Sequence, residues 1–84
     1  MALLIQPRVR KELAGVPHEI WDRLKERLEA IARDPYGHHP GAKRLQGSQG
    51  GFAVRQGNWR VIYVITGRDD VEVIRVAHRR EVYR

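Results

Sequence analysis

Arg55 and Arg60 are the residues whose types and spacing could do chemistry. They flank Gly57-Asn58 in the stretch Gly51–Ile65, which reads as two β-strands joined by a two-residue turn. Gly57 takes φ > 0 without steric cost and Asn58 tolerates it, as this hairpin class needs. A two-residue loop fixes the register. Gln56 faces Trp59, Arg55 faces Arg60, Val54 faces Val61, Ala53 faces Ile62 and Phe52 faces Tyr63. Side chains alternate between faces, so Phe52, Val54, Trp59, Val61 and Tyr63 share an apolar face and the two arginines share the other. Like charges directly across a strand pair are destabilising. Two readings are open at this point: a solvated sheet surface with splayed arginines, or a face on which an anion sits. Lys43-Arg44, just before the hairpin, is placed to extend such a basic face.

The charge distribution bears on that choice. The chain of 84 residues has a formal net charge of +6, with 13 Arg and only 3 Lys. Residues 1–42 carry seven basic and six acidic side chains, whereas residues 43–84 carry nine basic and four acidic. Arginine's planar fork suits bidentate phosphate contact. A high-GC coding bias would account for the Arg excess but not for the asymmetry. An arginine-rich half points to nucleic acid or an acidic protein partner.

Length and composition set the frame for these residues. Eighty-four residues with 42% apolar content form one small domain, 1–84, with a single modest core. There is no cysteine, so neither a disulfide framework nor a cysteine metal site is expected. No apolar run approaches membrane-spanning length, and the segment from Met1 to Pro7 lacks the pattern of a signal peptide. A chain residing in the cytoplasm, away from membranes, is the expectation.

The elements that must position the arginines follow from periodicity. Ala2 to Gln6 reads as a short first strand ended by Pro7. Val9, Leu13 and Val16 then fall at roughly helical spacing, with Gly15 as a stop. Pro17 opens a second helix whose apolar stripe is Ile20, Trp21, Leu24, Leu28, Ile31 and Ala32. Its other residues, Arg23 and Arg27 among them, read as a solvated face, and Asp34-Pro35 ends it. Tyr36 to Gly50 reads as a long loop. Its His38-His39 pair lacks a third ligand at useful spacing, and no metal site is expected. After the hairpin, Thr66 to Asp70 turns into a last strand, Val71 to Ala77, whose register is open. A five-residue turn puts Ile74, Val76 and His78 on the Arg60 face, and a four-residue turn puts Val73 and Arg75 there. The order is β-α-α-β-β-β, an α+β fold with two helices on one face of a small, largely antiparallel sheet.

These residues together resemble a known family. The helical pair ending at Asp34-Pro35, the Lys43-Arg44-Leu45-Gln46-Gly47 segment, the Phe52–Tyr63 hairpin and the run Val73–Tyr83 look like the RelE/ParE superfamily of toxins from toxin–antitoxin pairs, over nearly the whole chain. "Trp-Arg-Val-Ile-Tyr" followed by "His-Arg-Arg-Glu-Val-Tyr" resembles the RelE-like branch and its microbial-RNase-type fold. The resemblance implies that Arg60 matches the central catalytic arginine, Arg79 the C-terminal catalytic arginine and Tyr83 the terminal tyrosine. Arg55 stands where the family has a basic residue before the hairpin turn. Lys43, Arg44, His78 and Arg80 are then expected to bind RNA. Two positions before Arg55, where some members have a second basic residue, this chain has Ala53.

The implied activity is ribosome-dependent, metal-independent cleavage of mRNA in the A site, which inhibits translation and uses no cofactor. Its chemistry suits these residue types. A 2′-hydroxyl attacks the adjacent phosphorus, Arg60 and Arg79 hold the developing charge, and Tyr83 serves as base or orients the nucleophile. His78 is the runner-up acid or base. Tyr63, Trp59 and Trp21 read as core. The implied partners are a wrapping RelB-like antitoxin, the ribosome with its mRNA, and operator DNA only through the antitoxin. The alternatives are a ParE-type toxin that inhibits DNA gyrase without nuclease chemistry, and a catalytically weak basic module that binds nucleic acid.

Overall fold

The computed structural model describes residues 2–45 and 51–78. Its elements are β1 (Leu3–Ile5), α1 (Pro7–Leu13), α2 (His18–Arg33), β2 (Ala42–Arg44), β3 (Gly51–Gln56), β4 (Trp59–Ile65) and β5 (Val71–His78). The five strands form one sheet in the order β1-β5-β4-β3-β2. Only the β1–β5 pairing is parallel. The α+β architecture matches the order expected from sequence, with one strand added.

That strand is β2, inside the stretch expected to be loop. Lys43 pairs with Ala53 and Arg44 with Phe52. Three residues with two cations carry no apolar alternation, so nothing local marks them as a strand. The backbone of β3 recruits them by supplying ladder partners.

The hairpin register is as the two-residue turn dictates: Arg55 pairs with Arg60 and Phe52 with Tyr63. Of the two hairpin-turn residues Gly57 and Asn58, only Gly57 takes a positive φ, +60°, the pattern of a type II′ turn. The apolar face of the sheet packs on both helices. Leu24, Leu28 and Ile31 of α2 and Val9 of α1 meet Val54, Val61 and Tyr63 in a single core. Phe52 and Tyr63 stack with ring centroids 5.3 Å apart. Burial removes Tyr63 from solvent and raises its phenol pKa, in keeping with a packing role.

The last strand fits neither simple register. The five-residue turn pairs Ile65 with Val71 and Tyr63 with Val73, but then Ile62 pairs with Arg75, leaving Ile74 as a bulge. Hydrophobic patterning explains this. Without the bulge, Arg75 would face Val61 and enter the core. With it, Val71, Val73 and Val76 are all buried against the helices, and burying a lone arginine is avoided. The outer edge of β5 beyond β1 is covered by α1. Glu12 Oε1 accepts from the Val76 amide (3.0 Å), and Arg8 Nη2 donates to the Ile74 carbonyl (3.3 Å). Backbone groups flanking the bulge thereby find partners. No helix among the described residues is long and apolar enough to cross a membrane.

Candidate nucleic-acid interface

The face of the sheet away from the helices carries the basic residues. Strand pairing gives two adjacent rows on it. One runs Arg55, Arg60, Ala77 across β3, β4 and β5, and the other runs Lys43, Ala53, Ile62, Arg75 across β2 to β5. Each of these four strands thus contributes one cation. The floor between them is apolar, and Ala53 and Ala77 are buried in it. A pocket of about 250 Å³ opens here, lined by Gly41, Lys43, Arg44, Leu45, Ala53, Arg55 and Arg60. Its walls are cationic and its floor is apolar, which suits a phosphate flanked by less polar groups.

Arg55 is exposed and its Nε donates to the Gly57 carbonyl (3.1 Å), so its arm folds along the turn. Arg60 is half-buried. Lys43 is exposed and projects on the same face. Arg44 alternates with Lys43 along β2 and pairs with Phe52, so its side chain belongs to the helix-side surface, although it also lines the pocket. There it borders a second hollow of about 130 Å³ beside His38, His39, Phe52 and Tyr63. His78 sits on the helix side as well. It pairs with Trp59, edge to face at 5.4 Å, because the bulge has shifted the end of β5 by one residue. The RNA-binding expectation at His78 therefore falls on the other face of the sheet from Arg60, whereas Arg44, on the edge strand, lines the same pocket as Arg60. Arg79, Arg80 and Tyr83 lie outside the described residues. His39 Nε2 donates to the Asp34 carbonyl (2.6 Å), and the described residues contain no cluster of three or more His, Asp or Glu placed to hold a metal.

Two residues bear on the site that sequence reasoning did not single out. Arg27, read as part of a solvated helix face, is a clamp. Its Nη1 donates to the Arg55 carbonyl (2.6 Å) and to Gln56 Oε1 (3.3 Å), and its Nη2 donates to the Pro40 carbonyl (2.8 Å). It thereby ties α2 to the end of β3 and to the segment leading into β2. Gly41 completes the arrangement. Its φ is +84°, and a Cβ there would collide with the Arg27 guanidinium. The other is Arg75, brought onto the Arg60 face by the bulge. No sequence signal marks Arg27. For Arg75 the Val-x-Val-x-x-Val pattern of β5 is itself the signal, since its break in alternation implies the extra residue.

The chain can now be set against known proteins. The family model described as ParE toxin of type II toxin–antitoxin system, parDE, matches residues 3–83. A Methanocaldococcus jannaschii protein named "Putative toxin RelE1" is 36% identical over 78 residues, which span 92% of this chain and 87% of that protein. Among solved structures, the RelB–RelE antitoxin–toxin complex of Methanococcus jannaschii superposes with a TM-score of 0.78 at 26% identity, covering 95% of this chain and 94% of that one. The toxin–antitoxin complex RelBE2 of Mycobacterium tuberculosis gives 0.72 at 26% identity, with coverage of 93% and 96%. The chain belongs to the RelE/ParE superfamily of type II toxin–antitoxin toxins. Within it, the chain is a toxin of the RelE type.

Proposed function

We propose that this chain is a ribosome-dependent endoribonuclease that cuts mRNA in the A site, without metal or cofactor. The observation that carries this reading is the facing pair Arg55–Arg60 beside Lys43 over an apolar pocket floor. Two like charges held opposite one another repel, and an anion lying between them would offset that. In the reaction, the 2′-oxygen forms a bond to phosphorus and the bond from phosphorus to the 5′-oxygen breaks. The products are a cyclic phosphate and a free 5′-hydroxyl. The 2′-proton passes to the phenolate of Tyr83, the candidate base, and the departing 5′-oxygen takes a proton from solvent water. Arg60 and Arg79 stabilise the phosphorane, and Lys43 and Arg55 hold the phosphate for attack. Arg80 is left to contact RNA beyond the reacting phosphate.

The partners follow from the same surface. The Methanococcus jannaschii and Mycobacterium tuberculosis relatives were solved as toxin–antitoxin complexes, and a RelB-like antitoxin is proposed here. An acidic segment that orders on binding would neutralise the cationic face. Any operator DNA contact is then made through the antitoxin, and the site of action is the cytoplasm, where ribosomes translate.

The test is cleavage of mRNA on programmed ribosomes by the purified chain. Cuts in the A-site codon are expected, with Arg60→Ala slowing them about 100-fold or more, the scale of one lost charge-stabilising donor. The ParE name of the matching family favours one competing reading, inhibition of DNA gyrase. Tyr83→Phe separates the two: toxicity falls if the chain is a nuclease and survives if gyrase is the target.

A further inference from the structure

We propose that Arg75 is a substrate-contacting residue, gripping the phosphate next to the one held at Arg55 and Arg60. This rests on the ribonuclease reading above. Arg75 pairs with Ile62, in the same cross-strand row as Lys43 and Ala53. Arg60 pairs with Ala77, so Arg75 is its diagonal neighbour on the open face. Diagonal neighbours across antiparallel strands lie about 7 Å apart, comparable with the spacing of successive phosphates along an extended strand. Ala53 places no charge in the row between Lys43 and Arg75. The cations therefore trace a track that leaves the pocket past Arg60 and continues onto β5.

The Arg75 side chain also has a reason to take a ligand. The bulge at Ile74 keeps it out of the core, yet its Nε is buried and has no hydrogen-bond partner among the described residues. A donor in that state costs stability, and a threonine or valine would fill the same sheet position without the cost. A phosphate on the guanidinium would draw the arm outward, opening Nε and supplying its missing acceptor. Arginine offers several donors to it at once.

The experiment measures binding of the full chain to ribosomes whose A site holds a 2′-O-methylated codon, which cannot be cut. The comparison is with ribosomes whose mRNA ends at the P site. The wild-type chain should bind the first more tightly. Arg75→Gln should weaken that binding about tenfold, the scale of one charged hydrogen-bonding contact, and leave binding to the second unchanged. Arg75→Lys should recover part of the loss. The proposal is overturned if Arg75→Gln, folded with near-wild-type Tm, retains the full preference for the occupied A site. It is equally overturned if both ribosome forms lose affinity alike, since the contact is then to the ribosome, or if only antitoxin binding changes. A wild-type chain indifferent to the codon would instead remove the ribonuclease reading, and Arg75's role with it.

Discussion

Arg55 and Arg60 stand one across from the other on neighbouring strands, with an apolar floor beside them. Like charges at such a facing position repel. That makes a prediction with opposite signs for stability and function. Arg55→Gln should raise stability by about 0.5 kcal/mol, or about 3 °C in Tm for a domain of this size. The gain should fade as salt screens the pair. Cleavage should fall in the same variant. Thermal melts at low and high salt, run beside the ribosome assay, check both halves, and an unchanged Tm at low salt would refute the repulsion. This pair was legible in the sequence because a two-residue turn fixes every cross-strand partner. Arg75 was left open, since a four-residue turn puts it on the Arg60 face and a five-residue turn does not, and the observed five-residue turn brings it there only through one extra residue in β5.

Elements decide what single residues cannot. β5 takes its bulge where α1 can serve the freed backbone, through Glu12 to the Val76 amide and Arg8 to the Ile74 carbonyl. These contacts join residues 64 and 66 positions apart, which is why no local pattern announced them. Glu12→Ala should cost about 1–2 kcal/mol, the scale of an orphaned part-buried amide, and should loosen Arg75 with it. Hydrogen exchange at the Val76 amide reads the effect directly. The Arg27 clamp is a second case. Periodicity assigns Arg27 to the solvated face correctly as far as angle goes, but the loop before β2 folds back over it. Arg27→Ala should cost about 2 kcal/mol through its charged hydrogen bonds. Gly41→Ala should destabilise by strain at positive φ and by collision with the guanidinium. In the Arg27→Ala background only the strain remains, so the double variant should be more stable than additivity predicts. Additive losses measured by denaturant melts would break the link between the two residues. A third contact ties the loop after α2 to the β4–β5 turn: the Tyr36 hydroxyl donates to Asp69 Oδ1 at 2.8 Å. That hydrogen bond, with the nearby carboxylate charge and slight desolvation, raises the Tyr36 pKa. A phenol whose folded pKa exceeds its unfolded value stabilises at neutral pH and loses that contribution as pH rises through the folded value. The Tm gap between wild type and Tyr36→Phe should therefore be present at about pH 8 and should shrink as pH rises beyond the ordinary phenol value of about 10.

At the scale of the molecule, the question is whether binding follows total charge or the one face. The formal charge of +6 is spread over 16 basic and 10 acidic residues, and α2 alone exposes several cations on the far side of the sheet. Among the described strand residues, Lys43, Arg55, Arg60 and Arg75 sit in the open-face rows, one to a strand. Counterion release counts phosphates actually contacted, with a slope of log affinity against log salt of about −0.7 per contact for single strands. Arg55→Gln, which removes one cation from the phosphate-binding face, should flatten the slope by up to about 0.7. Arg23→Gln removes the same unit of charge from an exposed position on α2 and should leave the slope as it was. Titrations of both variants on ribosomes with an occupied A site, over a range of salt, make the comparison. Equal flattening by the two would mean that the chain is drawn to RNA by its net charge, and that the ordered row of cations on β2 to β5 is incidental to binding.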